Sequence, residues 1–309
     1  MILLWGLASE SPLAAVAGQL RGLGARVALL DQRAVRDTSL RLRFGTEISG
    51  DLTVDGLRLD LARVTAVYLR PYDSRRLGPV AAAGPESPLW RHAMELDDAL
   101  TSWCELTPAL VVNRPAAMSS NESKPYQSRL IAAAGFRTPE TLITTDPERA
   151  EAFWAEHRDV IYKSCSGVRS TVQRFNPAAR DRLRNLRWCP TQFQRRIEGP
   201  DYRVHVVGEE VFACRIQAEA YDYRYDRNAA VVACALDADL ADRCRKLTRA
   251  LGLAVAGLDL REPADGAWYC FEVNPSPGFS YFQARTGQPI DRAIAEVLLA
   301  GRQGYPSSG

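Results

Sequence analysis

Lysine is almost missing from this chain. Of the 39 Lys plus Arg residues in 309, three are lysine (Lys124, Lys163, Lys246) and the remaining 36 are arginine. Histidine is as sparse: His92, His157 and His205 lie far apart, too few and too scattered for a dedicated zinc site. The seven cysteines are odd in number and form no CxxC pair, which excludes a disulfide scaffold and fits reduced thiols in the cytoplasm. No stretch reaches ~18 consecutive apolar residues, so no membrane span is expected. The start, Met1-Ile2-Leu3-Leu4-Trp5, has no basic n-region before its apolar run and does not read as a secretory signal. Neither GxxxxGK[ST] nor GxGxxG occurs. A net charge of +2 is too small to imply a nucleic-acid partner.

What is present is ordinary for a globular protein, with 46% hydrophobic and 25% charged residues and a mean hydropathy of -0.21. The length allows about two domains at ~150 residues each. Ile2–Leu7 is an apolar run, Ser11-Pro12 opens a helix that Gly22 and Gly24 end, and Arg26–Leu30 is a second buried strand. Leu52–Leu59 alternates around Asp55-Gly56, which predicts a hairpin. Strands at Thr65–Leu69 and Leu110–Asn113 flank a helix over Leu89–Ser102, so a first α/β domain spans 1–113.

A central lobe over 114–197 reads as helix Ser123–Ala134, strand Glu140–Thr144, helix Pro147–His157, strand Val160–Lys163, helix Arg180–Arg187 and an extended Thr191–Ile197. A C-terminal lobe over 198–301 carries strands at Tyr202–Val207, Val211–Gln217, Val255–Arg261 and Trp268–Asn274, with helices at Asp237–Leu251 and Pro289–Ala300. The polar stretch 302–309 reads as a mobile tail.

Three groups of residues suit chemistry. Glu272 and Asn274 alternate on one strand and so share a face, and an antiparallel neighbour would bring Asp259 beside them. Phe271, Val273 and Leu258 are then expected on the opposite, core face. Two carboxylates and one amide oxygen suit Mg²⁺, though a surface of solvated strand-end charges would show the same pattern. Lys163 ends a strand and enters Ser164-Cys165-Ser166-Gly167, whose amides can cradle phosphate; Lys124 opens a helix, where phosphate is also favoured. An isolated lysine at a strand end is an equally ordinary reading. Arg203, Arg215, Arg224 and Arg261 surround these strands and suit bidentate binding of phosphate or carboxylate, in a chain where most arginines are surface residues.

In order, NRP followed by SSNESKPYQ with AAAGFRTPETLIT, VIYKSCSG, FQRRIEGPDYRVHVVG, DYRY, GLDLR and FEVNPSPG resemble the ATP-grasp superfamily, in the branch of RimK-like and graspetide (microviridin-type) ligases. The resemblance covers about Asn113 to Ala300 and implies an α/β ATP-grasp fold behind an N-terminal pre-ATP-grasp domain. It implies that Lys124 and Lys163, with Ser166 and Gly167 in the loop between strand and helix, hold the α- and β-phosphates of ATP. Gln194, Arg195, Arg196 and Ile197 would form the hinge whose backbone reads adenine, and Asp201 would reach the ribose. Arg224 would meet the γ-phosphate or acyl phosphate. Asp259, Glu272 and Asn274 would bind two Mg²⁺ ions (Mn²⁺ being an alternative), with Glu272 bridging. The loop after Lys163 has one glycine where many relatives have several, and Arg195 stands where an acidic residue is common.

The activity so implied is a cytoplasmic, ADP-forming carboxylate–amine ligase working through an acyl phosphate on an amino acid or peptide. The alternatives are a graspetide-type macrocyclase and a non-catalytic ATP-binding regulator; an RNA-associated role rests on the arginine count alone. No nucleic acid or membrane partner is expected, and a homodimer is allowed.

Overall fold

The computed structural model describes residues 1–46, 48–165, 172–217 and 230–301. Ser166, Gly167, Arg224 and the tail 302–309 lie outside the described residues.

Strands β1 (Ile2–Gly6) and β2 (Val27–Asp31) are followed by an antiparallel meander, β3 (Thr38–Phe44), β4 (Ile48–Val54) and β5 (Leu57–Asp60). Then come β6 (Ala66–Arg70) and β7 (Leu110–Val112), which complete a parallel sheet in the order β2-β1-β6-β7. Its strands are almost wholly apolar because helices cover both faces. On one face Leu3, Trp5 and Val67 pack on the helix Pro88–Leu106 and on the meander. On the other, Ile2, Leu4 and Tyr68 pack on Ser11–Gly22 and on the last helix, Ile290–Ala300. The hairpin expected at Asp55-Gly56 is present, with φ of 47° and 76°, the positive pair that a two-residue hairpin turn favours. Strand β3 is additional to the elements read from the sequence.

The central lobe is an antiparallel sheet, β10-β9-β11-β8, built from β8 (Thr141–Thr144), β9 (Val160–Ser164), β10 (Gln173–Arg174) and β11 (Thr191–Arg195). It has its own core: among the described residues, Ala150, Val160, Phe175, Leu183, Leu186 and Phe193 cluster with partners from 142–193. The helix expected over Arg180–Arg187 is instead a short turn, Pro177–Arg180, capped by Asn176, and a 3₁₀ segment, Leu183–Trp188. Leu183 and Leu186 are both buried, three residues apart, and three residues per turn puts them on one side.

The C-terminal sheet, β14-β13-β12-β15-β16, is antiparallel throughout and comprises β12 (Asp201–Val207), β13 (Glu210–Gln217), β14 (Ala230–Cys234), β15 (Val255–Arg261) and β16 (Tyr269–Asn274). Val204, Ala213, Leu258 and Val273 point to one face, covered by Ala238–Ala250 and by Ile131 of the helix Lys124–Ala133. The other face is partly covered. Val207, Phe212 and Val255 join the core shared with the N-terminal sheet, and Phe282 of an additional helix, Ser280–Thr286, covers Cys214 and Ile216. The rest of that face holds the charged residues. Among the described residues no helix is long and apolar enough to cross a membrane.

Candidate functional site

Strand register aligns the candidates in rows. Arg203, Asp259 and Glu272 sit directly opposite one another across β12, β15 and β16, and the next row is His205, Gly257 and Asn274. Opposed residues in an antiparallel sheet share a face, so Asp259, Glu272 and Asn274 do come together. The register breaks between Asp259 and Leu260, where a bulge inserts Phe271. Phe271 therefore leaves the core face expected of it and lies half-buried with the Arg261 guanidinium 5.1 Å over its ring. Val273 and Leu258 are buried in the core as expected.

Arg203 is built into this face. Its side chain is 7% exposed and Nη1 donates to Asp259 Oδ1 at 2.7 Å. It lies over Gly257, where an added Cβ would fall 2.2 Å from Nη2 and 2.8 Å from Pro277. Glycine is required there by space alone. His205, in the row below, is fully buried beside Phe282, and burial with the neighbouring Arg203 charge holds its imidazole neutral, far below its usual range. Arg261 forks onto Asp201 at 2.5 and 2.8 Å and donates to the Ile197 carbonyl at 2.6 Å, tying sheet to hinge. Arg215 is not part of this group. It is exposed opposite Tyr202, on the face that carries Ala213 and Val204, away from the carboxylates.

The segment after Glu272 is fastened by side chains from the first half of the chain. Gln127 pairs with both backbone groups of Val273, Asn113 donates to the Pro275 carbonyl at 2.6 Å, and Arg70 donates to the Pro277 carbonyl at 3.2 Å. Asn113 also accepts from Ala254 N and donates to Val255 O, using its whole amide. Glu10 in turn holds Arg70. Asn274 Oδ1 accepts from Ser276 N at 2.9 Å. None of Asn113, Gln127, Arg70 or Gly257 was among the sequence candidates. The signals were present: a glycine inside the strand VAGLDLR marks a close approach, and Gln127 lies one helical turn after Lys124.

Lys163 is the last but one residue of β9 and lies opposite Gln192. Burial, and then the Lys124 ammonium, bring its pKa down to about 8, while Glu272 and Asp259 oppose the shift. Those four charges thus share one neighbourhood, two lysines from the central half facing two carboxylates of the C-terminal sheet. At the hinge, Gln194 is buried and donates to Thr141 Oγ1 at 2.9 Å. Arg195 pairs with Glu140 at 3.0 Å and bonds Tyr269 Oη, and Arg196 pairs with Asp159 at 2.8 Å. Their backbone amides also bond the Glu140 and Asp159 carbonyls. A cavity of about 470 Å³ beside the hinge is lined by Arg137, Ile197 and Tyr269 and contains none of the carboxylate row.

Burial pushes the thiols of Cys104, Cys214 and Cys244 up to about 12, so none of these three is an activated nucleophile. Mg²⁺ fits the group of Asp259, Glu272 and Asn274, whose donors are all hard oxygens. Two lysines near two carboxylates and an amide oxygen form a set of groups chemically able to hold phosphate and a hard cation together.

The family model for the RimK-like ATP-grasp domain matches residues 121–298, and the chain belongs to that family. A probable alpha-L-glutamate ligase of Xanthomonas oryzae pv. oryzae (strain MAFF 311018) is 29% identical over 183 residues, 55% of this chain and 62% of that relative. The chain thus spans about three fifths of that relative's length. Among solved structures, the ATP-grasp ligase PsnB with minimal precursor, Mg and ADP is 28% identical, with a TM-score of 0.80 over 98% of this chain and 97% of that one. A Chryseobacterium gregarium RiPP-associated ATP-grasp ligase, in complex with ADP and a leader and core peptide, has a TM-score of 0.83 over 99% of this chain and 97% of that one. At 21% identity it shows likeness of fold alone.

Proposed function

We propose that the protein is an ADP-forming carboxylate–amine ligase that acts on a peptide. The observation that carries this reading is the row Arg203–Asp259–Glu272 with Asn274 beside it, facing Lys163 and Lys124. Residues 1–113 serve as the N-terminal domain, 114–197 as the clamp and 198–301 as the metal-bearing lobe, and a cytoplasmic setting supplies ATP. Lys124 and Lys163 meet the α- and β-phosphates as point charges. Asp259, Glu272 and Asn274 would hold two Mg²⁺ ions, which would supply positive charge to neutralise the phosphates. Arg203 fixes Asp259, and Arg261 fixes Asp201 and the hinge.

The γ-phosphoryl group moves to a carboxylate oxygen of the substrate, breaking its bond to ADP and leaving an acyl phosphate. An amine lone pair then attacks the acyl carbon, the carbon–oxygen bond to phosphate breaks, and the amine proton is lost to the departing phosphate or to water. The chain's own part is to position and to neutralise charge.

A peptide substrate is favoured over a free amino acid because the likeness to PsnB runs end to end, whereas the glutamate-ligase relative is spanned only in part. The identity to that relative supports the second reading, addition of glutamate to an acceptor. One experiment separates them. With ATP, Mg²⁺ and a pool of peptides rich in Asp, Glu, Lys, Ser and Thr, a cross-linking ligase removes the mass of one water per link. A glutamate ligase instead adds glutamyl residues when free glutamate is supplied. Hydroxylamine should trap the acyl phosphate as a hydroxamate in either case; ADP release with no trapped hydroxamate would overturn the mechanism.

A further inference from the structure

Gln127 is 3% exposed, whereas Tyr126 and Arg129 on the same helix are exposed. Its Nε2 donates to the Val273 carbonyl at 2.9 Å and its Oε1 accepts from the Val273 amide at 3.0 Å. An amide side chain has one donor end and one acceptor end, and here both are used on a single residue. That residue is the one between Glu272 and Asn274. β16 is the last strand of its sheet, and an edge strand presents unpaired N–H and C=O groups at every second residue. Gln127 supplies what a further strand would.

Lys124 is three residues earlier on the same helix, and such residues lie on one side of it. One end of the helix therefore carries a phosphate lysine, and one turn later the helix is bonded by two points to the strand that carries the metal ligands. A two-point bond fixes rotation as well as distance, which a single hydrogen bond does not. Lys124 in turn acts on Lys163, and Glu272 acts on the same ammonium, so a shift of helix against strand would change how Lys124 and Glu272 are spaced about it.

We infer that Gln127 is a positioning residue that sets the separation of Lys124 from the Glu272–Asn274 pair, and so the span across which the nucleotide phosphates bridge lysine and metal. This rests on the ligase reading above. It touches no substrate and acts through Lys124 and Val273.

The alternative is that Gln127 only closes a sheet edge and contributes stability. A double-variant cycle on the full chain, read by calorimetric ADP binding without turnover, separates the two. Gln127→Met keeps the side-chain length and removes both hydrogen bonds; it should weaken ADP about tenfold. Lys124→Met should weaken ADP by itself, and the double variant should bind no worse than Lys124→Met alone, because the position of an absent ammonium cannot matter. Gln127→Asn, which keeps the amide one methylene short, should fall between wild type and Gln127→Met and serves where the latter does not fold. Effects that multiply in the double variant would overturn the inference, as would Gln127 variants that lower the melting temperature and leave ADP affinity unchanged. Failure of the ligase reading shows elsewhere, as undiminished ADP formation by Glu272→Gln, and is not read from this cycle.

Discussion

The lobe that carries the carboxylates and the lobe that carries Lys163 are held in place in opposite ways. The C-terminal sheet shares a core with the N-terminal domain, through Val207, Phe212 and Val255 against Ile2, Leu4 and the helix Ile290–Ala300. Its ligand strand is then fastened from outside by Gln127, Asn113 and Arg70. The helix Lys124–Ala133 packs on the C-terminal sheet, whereas the sheet β10-β9-β11-β8 packs on itself. Charged and polar bonds such as Arg195–Tyr269 and Arg261–Ile197 carry its hinge to the C-terminal sheet. On the proposed reading, Asp259, Glu272 and Asn274 hold metal and need a fixed geometry, which a shared core gives; the proposed clamp has to admit and release a nucleotide, which an independent core with a polar hinge permits.

If that division is right, charge removal on the fixed sheet should stop chemistry without harming the fold. Glu272→Gln keeps the shape and removes the charge, so ADP formation should fall by at least ~10²–10³-fold, the scale of losing one strong electrostatic contact in a transition state. Melting temperature and far-UV circular dichroism should stay near wild type. Near-normal turnover at saturating Mg²⁺ would remove Glu272 from the metal site.

A steric change on the same sheet probes rigidity. In Gly257→Ala the new methyl would fall 2.2 Å from the Arg203 guanidinium and 2.8 Å from Pro277, so one or both must shift. Overpacking of this kind costs ~1–3 kcal/mol, and displacement of Arg203 from Asp259 should lower the ADP-forming rate about tenfold or more. A variant with wild-type rate and stability would mean that this face yields, and the contrast between the lobes would be lost.

On the clamp, the expected change is in affinity. Lys163→Met keeps the stem and deletes the ammonium, so calorimetric ADP binding should weaken by ~1.5–3 kcal/mol, the range for hydrogen bonds to charged groups. Unchanged affinity would leave Lys163 as a strand end and nothing more.

The sequence alone exposes the alternation of Glu272 and Asn274, the facing Asp259 and the isolated Lys163, because strand periodicity is a local property. What it hides is set by partners far along the chain. Arg215 and Arg203 look equivalent as arginines on paired strands, and only the register puts one on each face. The bulge at Asp259–Leu260 turns Phe271 out of the core, which no alternation rule foretells. The helix Ser280–Thr286 is short and closes on Gly287 in the left-handed region, so its pattern is too brief to stand out. The hinge arginines keep their charges occupied by Glu140 and Asp159, carboxylates more than thirty residues away.

The smallest effect concerns protons, and it tests whether the clamp is electrostatically incomplete without its nucleotide. In the free protein Lys163 titrates at about 8 rather than its ordinary 10.5, because burial and the Lys124 charge disfavour the ammonium. The sign follows directly. The unfolded chain binds more protons than the folded one between those two values, so this group costs stability below pH 8 and the cost is relieved as the pH rises toward 10.5. Phosphate placed beside Lys163 stabilises the ammonium and returns its pKa upward, so ADP binding must take up protons wherever Lys163 was partly neutral. With no divalent metal present, uptake should be about half a proton per ADP at pH 8 and about a tenth at pH 7. Calorimetry at each pH in two buffers of different ionisation enthalpy reads this number directly. Lys163→Met should remove the uptake at pH 8 while leaving any background from other groups. Equal uptake in both proteins would show that the lysine is already fully charged before the nucleotide arrives, and that the carboxylates Glu272 and Asp259, not ATP, are its working counter-charge.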